Sequence, residues 1–231
     1  MTEYALTLTE MAVNAAVKGV MSLICRVDVE QLSRVPSRGP LILVTNHINF
    51  LEVPIMYTHL QPSPVVGFAK AETWDSPFLG PLFTLWNAIP VHRGEADLTA
   101  IRLALGVLKK GHILAISPEG TRSGHGRLQK GYAGVVTLAL RSGAPILPIV
   151  NFGGEQYRNN LSRLRRTDFK VIVGEPFMLD TGGAKTTSGV RGQMTDEIMY
   201  QLASLLPPAY RGEYADLSKA TQNYLKFITL N

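Results

Sequence analysis

The chain has 231 residues, 45% of them hydrophobic and 18% charged, so it is long enough to bury the core of a single α/β domain. A formal charge of +5 and a pI near 9.4 favour an anionic partner, either a phosphate-bearing ligand or the cytoplasmic face of a membrane. The single cysteine, Cys25, excludes an intrachain disulfide and a cysteine-based metal site, and it fits a reducing, intracellular compartment. The sequence carries no RNA-binding, zinc-finger or basic-helix signature, so we expect no nucleic-acid partner.

Residues 1–37 are predicted to contain an amphipathic helix. Polar residues recur there at every fourth position, which places them on one stripe of a helix with apolar side chains around the rest. They are Glu10, Asn14, Lys18, Ser22 and Arg26. The stretch has neither the pattern of a secretory signal nor the roughly 20 apolar residues of a spanning helix. It either lies in a membrane interface or packs on the core of the domain, and the sequence favours neither alternative.

Residues 38–231 show short apolar runs that alternate with longer helical patterns. The predicted strands are 41–45, 65–68, 88–91, 113–117, 146–150 and 170–173. The predicted helices are about 51–60, 76–87, 95–110 and 131–142, with a last helical run after the loop at 181–189. This order predicts one α/β domain with a largely parallel sheet covered by helices.

A histidine follows the first of these strands, and a carboxylate stands five positions after it: His47 and Glu52. Imidazole titrates near neutrality and can take a proton from an alcohol, while a carboxylate on its other nitrogen would hold the required tautomer. The same residues also fit the start of a helix, with Asn49 as N-cap and Glu52 reaching back in a capping box. Pro54 favours a slightly later start than Asn49 implies. The spacing alone leaves both interpretations open.

Two further polar loops follow predicted strands, and open α/β sheets bind ligands at the carboxyl ends of their strands. One loop is 91–94, with Arg93, and the other is 117–123, with Glu119 and Arg122. Glycines let the backbone approach a ligand, and guanidinium groups match the geometry of phosphate. Each loop by itself is also compatible with an ordinary turn and solvated arginines. Three polar loops after three separate strands indicate one shared site.

Taken together, these segments resemble the ordered motif set of the glycerolipid acyltransferase family, and most closely that of the 1-acylglycerol-3-phosphate acyltransferases. The resemblance covers roughly residues 38–180. It is carried by Asn46 and His47 with Glu52, by Lys70, and by the segments 89–94, 117–123, 128–131, 145–148 and 173–176.

This resemblance implies an enzyme in which His47 is the general base and Glu52 orients it. It also implies that the glycerol phosphate of the acceptor is held by the arginine loops and a lysine. The implied substrate-binding residues are Lys70, Arg93, Glu119, Gly120, Thr121 and Arg122. The family usually has aspartate where Glu52 stands, and the extra methylene lengthens the reach of the carboxylate unless the backbone adjusts.

In the expected mechanism, the acceptor hydroxyl loses its proton to His47 while its oxygen attacks the thioester carbonyl, without an acyl-enzyme. The chain has no Gly-x-Ser-x-Gly nucleophile elbow, and Cys25 has no paired histidine. We expect no metal ion and no cofactor, because acyl-CoA or acyl-carrier protein serves as co-substrate. Since a carboxylate repels phosphate, we expect Glu119 to pair with Arg93 or Arg122, or to accept from an acceptor hydroxyl.

The expected partners are an acyl thioester, a lysophospholipid acceptor and a membrane surface, with the protein peripheral on the cytoplasmic side of the cell membrane. The sequence leaves open whether coenzyme A or acyl-carrier protein is the donor. It also leaves open another lysolipid or glycerol 3-phosphate as acceptor. A further alternative is a catalytically silent phospholipid-binding protein in which the change to Glu52 has removed efficient transfer.

Overall fold

The computed structural model describes residues 6–60, 63–92, 97–183 and 185–230. The helices are α1 (Leu8–Ile24), α2 (Val29–Leu32), α3 (Glu52–His59), α4 (Leu79–Leu85), α5 (Leu98–Lys109), α6 (Gly134–Ser142), α7 (Tyr157–Ser162) and α8 (Ser188–Leu205). The strands are β1 (Cys25–Val27), β2 (Leu41–Thr45), β3 (Val65–Lys70), β4 (Ile89–Val91), β5 (Ile113–Ile116), β6 (Ile146–Phe152), β7 (Thr167–Val173), β8 (Phe177–Leu179) and β9 (Leu225–Phe227).

The described strands form one mixed sheet in the order β1-β7-β6-β2-β5-β3-β4, with β8 beside β6 and β9 beside β8. Strands β6, β2, β5, β3 and β4 are parallel, and in this register Val44 of β2 lies beside Ile116 on one side and Pro148 on the other. Strands β7 and β8 run antiparallel to β6, and β1 runs parallel to β7. The carboxyl ends of the five parallel strands therefore lie along one edge of the sheet.

Strand β2 shows why both faces of the sheet are covered, because four consecutive apolar residues of this strand are buried. Ile42 and Val44 join a core cluster that includes residues of α5, α6 and α8. Leu41 and Leu43 point to the opposite face and join a second cluster with residues of α1, α2 and α3. The predicted fold class, a single α/β domain with a largely parallel sheet covered by helices, is confirmed.

All six predicted strands are present, with ends that differ by a few residues. The predictions do not include the three-residue strands β1, β8 and β9. The predictions also do not include helix α7, because its six residues are largely polar and show no apolar pattern. The short elements depend on neighbours that are distant in the chain, and local sequence carries little signal for them.

Helix α1 begins with a capping box, in which the Thr7 hydroxyl accepts from the Glu10 amide and the Glu10 carboxylate accepts from the Thr7 amide. Its polar stripe does not simply face water. Asn14 is buried, and its side-chain oxygen accepts a hydrogen bond from the indole nitrogen of Trp86 at 2.8 Å. Helix α1 contacts α3, and β1 directly after it joins the sheet, so this N-terminal segment packs on the core.

The exposed residues of α1 are mostly apolar, with Thr9, Lys18 and Ser22 as the polar ones, in contrast to the surface helix of an ordinary water-facing domain. Its exposed large side chains are Leu8, Met11, Val20 and Leu23. Contact of this outward side with a membrane interface stays a prediction.

Within the described residues, none of the helices has both the length and the apolar character that crossing a bilayer requires.

Candidate active site

Residues from two of the three predicted polar loops, together with Lys70, lie at the carboxyl edge of the sheet, and the third loop, 91–94, lies partly outside the described residues. His47 follows β2, the loop at 117–122 follows β5, and Lys70 ends β3. These strands are consecutive in the sheet, in the order β2-β5-β3, and neighbouring strands are about 4.8 Å apart. The residues predicted from separate motifs are therefore brought to one edge within about 10 Å of strand spacing.

The His47 imidazole lies with its Nδ1 atom 3.7 Å from Oε2 of Glu52. The His47 side chain is 20% exposed, whereas the side chain of Glu52 is 4% exposed. This distance is longer than a hydrogen bond but short enough for charge attraction when the ring is protonated. The pair thus has one partly accessible imidazole in front of a buried carboxylate.

The Glu52 carboxylate also supports the backbone of the same loop. Its Oε1 atom accepts hydrogen bonds from the amides of Ile48 at 2.7 Å and Asn49 at 2.9 Å. Helix α3 begins at Glu52, slightly later than Asn49 as predicted, and its N-cap is Leu51. Asn49 does not cap the helix but accepts from the Leu51 amide in a local turn. The backward reach of Glu52 is confirmed, and it coexists with the approach to His47.

The loop that carries His47 is joined to β6 by a pair of asparagines, Asn46 and Asn151, of which only Asn46 belongs to a predicted motif. Asn46 donates to the Asn151 carbonyl at 2.8 Å, and its side-chain oxygen accepts from the Asn151 amide at 2.8 Å. Both residues are buried. The sequence signal for Asn151 is a single polar residue inside an apolar strand, which a search for clusters of polar residues does not detect.

Glu119 joins the loop of His47 to the segment after β5. Its Oε1 accepts from the His47 amide at 2.8 Å, and its Oε2 accepts from the Gln129 amide at 2.9 Å. Burial raises the pKa of this carboxyl above its ordinary value, while the amides of Gln129 and His47 oppose that shift. Among the described contacts the partners of Glu119 are these amides and not Arg122. Of the expected partners, Arg122 makes no described contact with Glu119, while Arg93, outside the described residues, and an acceptor hydroxyl stay predictions.

The rest of the loop after β5 lies open to solvent. Gly120, Thr121 and Arg122 are exposed, and Gly120 has a φ of +66°, a conformation that favours glycine. The next residue, Ser123, donates its amide to the His47 carbonyl at 2.8 Å. The exposed residue Arg122 is therefore adjacent in sequence to a residue whose backbone is hydrogen-bonded to that of His47.

Lys70 is half exposed, and its ammonium lies 3.0 Å from the carboxylate of Glu72. In the sheet Lys70 is the register partner of Val91, so the loop that begins at His92 starts beside it. Arg93, the other predicted phosphate ligand, lies outside the described residues. The roles of Lys70 and Arg93 in substrate binding stay predictions.

A C-terminal segment supports these loops from outside the predicted motifs. The Leu128 amide donates to the Tyr210 carbonyl at 2.9 Å, and the Tyr210 hydroxyl donates to Oε1 of Glu155 at 2.7 Å. Glu155 follows Gly154, whose carbonyl accepts from the side chain of Asn49 at 2.8 Å. Burial and the neighbouring Glu155 raise the pKa of Tyr210 to about 12. No local pattern in the sequence indicated this connection.

The chain matches a family of known proteins. The sequence profile of the family described as Acyltransferase matches residues 26–151, which include the His47 and Glu119 loops. The 1-acyl-sn-glycerol-3-phosphate acyltransferase of Pseudomonas aeruginosa is 30% identical over 196 residues, which cover 84% of this chain and 75% of that protein. The enzyme of the same name from Bacillus subtilis is 26% identical over 161 residues, or 70% of this chain and 78% of that protein.

A further relative and a solved structure are also similar to this chain. A chloroplastic 1-acyl-sn-glycerol-3-phosphate acyltransferase of Brassica napus is 29% identical over 157 residues, and the match spans 65% of this chain but only 45% of that protein. The crystal structure of the 1-acyl-sn-glycerophosphate acyltransferase PlsC from Thermotoga maritima has a TM-score of 0.60 and 20% identity, and the match covers 85% of this chain and 78% of that one. At this identity the likeness shows a shared fold.

Proposed function

Because the chain belongs to the acyltransferase family, we propose that it moves a fatty-acyl group from an acyl thioester to the free hydroxyl of 1-acylglycerol 3-phosphate, giving phosphatidate. The observation that carries the proposal is the arrangement of a partly exposed His47 imidazole in front of the buried Glu52 carboxylate. Relatives that bear the name 1-acyl-sn-glycerol-3-phosphate acyltransferase support this choice of acceptor.

In the proposed reaction His47 first accepts a proton and later donates it. The Nε2 atom of His47 takes the proton of the acceptor hydroxyl as the oxygen forms a bond to the thioester carbonyl carbon. The tetrahedral intermediate then breaks its carbon–sulfur bond, and the leaving thiolate takes the proton back from His47. The reaction forms no covalent acyl-enzyme.

Glu52 serves this step from the opposite side of the ring. A carboxylate near Nδ1 favours the tautomer that leaves Nε2 free to accept a proton, and it stabilises the imidazolium formed. The amides of Ile48 and Asn49 keep the carboxylate in place. Its 3.7 Å separation from Nδ1 leaves room for a shorter contact when His47 becomes charged, because catalytic contacts often tighten in the substrate complex.

We assign the acceptor phosphate to the exposed donors around Gly120 and Arg122, to Lys70 at the end of the neighbouring strand β3 and, as the family resemblance implies, to Arg93. Guanidinium groups bind phosphate through paired hydrogen bonds, and the backbone at Gly120 is open to close approach. Glu119 acts through the amides of His47 and Gln129, since both of its oxygens are already hydrogen-bonded. It therefore aligns the base with the phosphate loop.

The lipid acceptor places the protein at a membrane surface in this proposal. The outward side of α1 presents Leu8, Met11, Val20 and Leu23, and the chain carries a net positive charge. Apolar insertion and attraction to anionic headgroups act together on such a surface. The acyl thioester donor is either acyl-CoA or acyl-carrier protein.

The test is a thiol-release assay on the purified protein with an acyl thioester and 1-acylglycerol 3-phosphate. We expect phosphatidate and free thiol in equal amounts, with turnover reduced by about 10²–10⁴ in His47→Ala. A folded His47→Ala variant with wild-type turnover would remove His47 from the mechanism. Lysophosphatidate binding without thiol release would instead identify a catalytically silent lipid-binding protein.

A further inference from the structure

Helix α7 ends in a turn that exposes two leucines among arginines. Leu161 is 50% exposed and Leu164 is 95% exposed, so neither side chain is needed to fill the core. The arginines at 158, 163, 165 and 166 are all exposed, and residues 157–167 contain no acidic side chain. We call residues 157–166 the leucine–arginine turn.

The backbone of this turn is strained at the more exposed leucine. Leu164 has a φ of +53°, in the left-handed region that glycine and asparagine adopt more readily. Its amide donates to the Leu161 carbonyl, and the Arg165 amide donates to the Asn160 carbonyl at 2.8 Å. This is the hydrogen-bond pattern of a Schellman motif, whose left-handed position is usually glycine. A leucine there costs stability and gains no packing within the chain.

The turn is tied to the end of α1. A guanidinium nitrogen of Arg166 donates to the Cys25 carbonyl at 2.7 Å, and β1 runs parallel to β7 from Cys25 beside Thr167. The exposed apolar side chain of Leu23 precedes Cys25 by two residues and is 76% exposed. The leucine–arginine turn therefore continues the outward apolar side of α1.

The turn also reaches the loop of the candidate active site. The ring of Tyr157, at the start of α7, packs edge-on against Phe50 at a centroid distance of 5.1 Å. Phe50 lies three residues after His47. A partner bound by the turn is consequently held next to the site of acyl transfer.

We propose that the leucine–arginine turn is a second membrane-docking element, which inserts Leu161 and Leu164 between the lipids of an anionic membrane. The arginines contact the phosphates of the headgroups, and insertion supplies the apolar burial that the folded chain does not give these leucines. An acidic carrier protein would match the positive charge, but continuity with the apolar side of α1 favours a lipid surface. The inference rests on the proposed function in one respect, namely that the lipid acceptor lies in a membrane.

The test separates docking from folding through Leu164→Asn. Asparagine adopts the left-handed conformation more easily, so the melting temperature stays equal or rises, while partition onto vesicles of phosphatidylcholine and phosphatidylglycerol weakens by about tenfold. Leu164→Gly gives the same result. The control is Leu103→Gln, an exposed leucine on α5 at the opposite face of the sheet, which leaves partition unchanged.

The charge requirement is tested with Arg163→Gln and Arg165→Gln. Each loses about fivefold in partition at low salt, since a basic residue near an anionic surface contributes on that scale. Partition onto phosphatidylcholine alone changes little. The matched control is Arg141→Gln on α6, which is also exposed but lies on the opposite face.

Two results would overturn the inference. One is wild-type vesicle partition in both Leu164→Asn and Leu164→Gly. The other is unchanged vesicle partition together with weaker binding of an acidic acyl-carrier protein, which would make the turn a carrier-docking surface. Vesicle partition is measured without turnover, so the two proposals can fail separately. An inactive protein whose partition depends on Leu164 would contradict only the proposed function. An active protein whose partition does not depend on Leu164 would contradict only this inference.

Discussion

The Nδ1 atom of His47 lies 3.7 Å from Oε2 of Glu52, while Oε1 of the same carboxylate accepts from the amides of Ile48 and Asn49. The longer side chain, in place of the aspartate usual in the family, thus reaches both the imidazole and the backbone before α3. Oε1 accepts only from the loop amides, whereas Oε2 accepts from the Asn49 amide at 3.2 Å and also faces the imidazole. The helix-start contacts and the approach to His47 therefore coexist in one carboxylate.

The two kinds of contact made by Glu52 predict opposite effects of two substitutions on turnover and on melting temperature. In Glu52→Gln the amide oxygen still accepts from the backbone, but an N–H₂ group replaces the charged oxygen near His47. We expect turnover to fall by about 10²–10³ with a small change in melting temperature. Glu52→Asp keeps the charge but shortens the reach to the amides, so it retains more turnover and loses more stability. Turnover and melting temperature measured on both variants decide the matter, and near-normal turnover in Glu52→Gln would refute the orienting role.

Glu119 predicts a pH-dependent stability difference. Burial raises its folded-state pKa above the ordinary 4.5, so its contribution to the free energy of unfolding is fully present below about that pH and is lost as pH rises through the raised pKa. Glu119→Gln lacks this titration and leaves one backbone amide without an acceptor, so it is less stable throughout. The stability gap between wild type and Glu119→Gln therefore narrows as pH increases above 4.5.

The gap is measured by chemical denaturation of both proteins at a series of pH values, where the other ionisable groups cancel in the difference. Glu175→Gln, which changes an exposed carboxylate, serves as the control. A gap that widens with pH would mean that the two amide donors outweigh burial in setting the pKa of Glu119.

Tyr210 is predicted to stabilise the fold through a single hydroxyl. Oε2 of Glu155 is buried without a hydrogen-bond partner among the described residues, so Tyr210→Phe leaves both oxygens of that carboxylate without a donor. We expect a loss of about 1–3 kcal/mol in the free energy of unfolding. Tyr224→Phe is the matched control, because its hydroxyl donates to the exposed Gln193. Equal effects of the two substitutions on denaturation midpoints would contradict the prediction.

Arg122 is predicted to act on the phosphate of the acceptor and not on the acyl donor. Its side chain is exposed at the edge of the sheet, so Arg122→Ala should leave the melting temperature unchanged. The KM for 1-acylglycerol 3-phosphate should rise about tenfold or more, the scale of a lost charged hydrogen bond, while the KM for the thioester stays similar. Arg141→Ala is the control. An equal loss toward an acceptor without an accessible phosphate would assign Arg122 to the fold.

The sequence by itself predicted the architecture and indicated His47 as the candidate base. Buried strands such as β2 carry their signal in consecutive apolar residues, and α5 and α6 carry theirs in apolar residues at helical spacing. These patterns are local, so they can be recognised in the sequence without knowing which elements pack together. Because parallel strands end at one edge of a sheet, the loops of His47 and Arg122 were expected to share a site before any contact was seen.

Only the tertiary structure decided how that site is supported and which way α1 faces. Asn46 meets Asn151 across 105 positions of the chain, and Glu119 receives an amide from His47 across 72 positions. A hydrogen bond between residues so far apart produces no periodic pattern in either segment. The polar stripe of α1 likewise did not show which side of the helix is buried, because Asn14 is buried against Trp86, its hydrogen-bond partner 72 positions away. A buried polar side chain needs a specific partner, and only the packed tertiary structure brings that partner into reach.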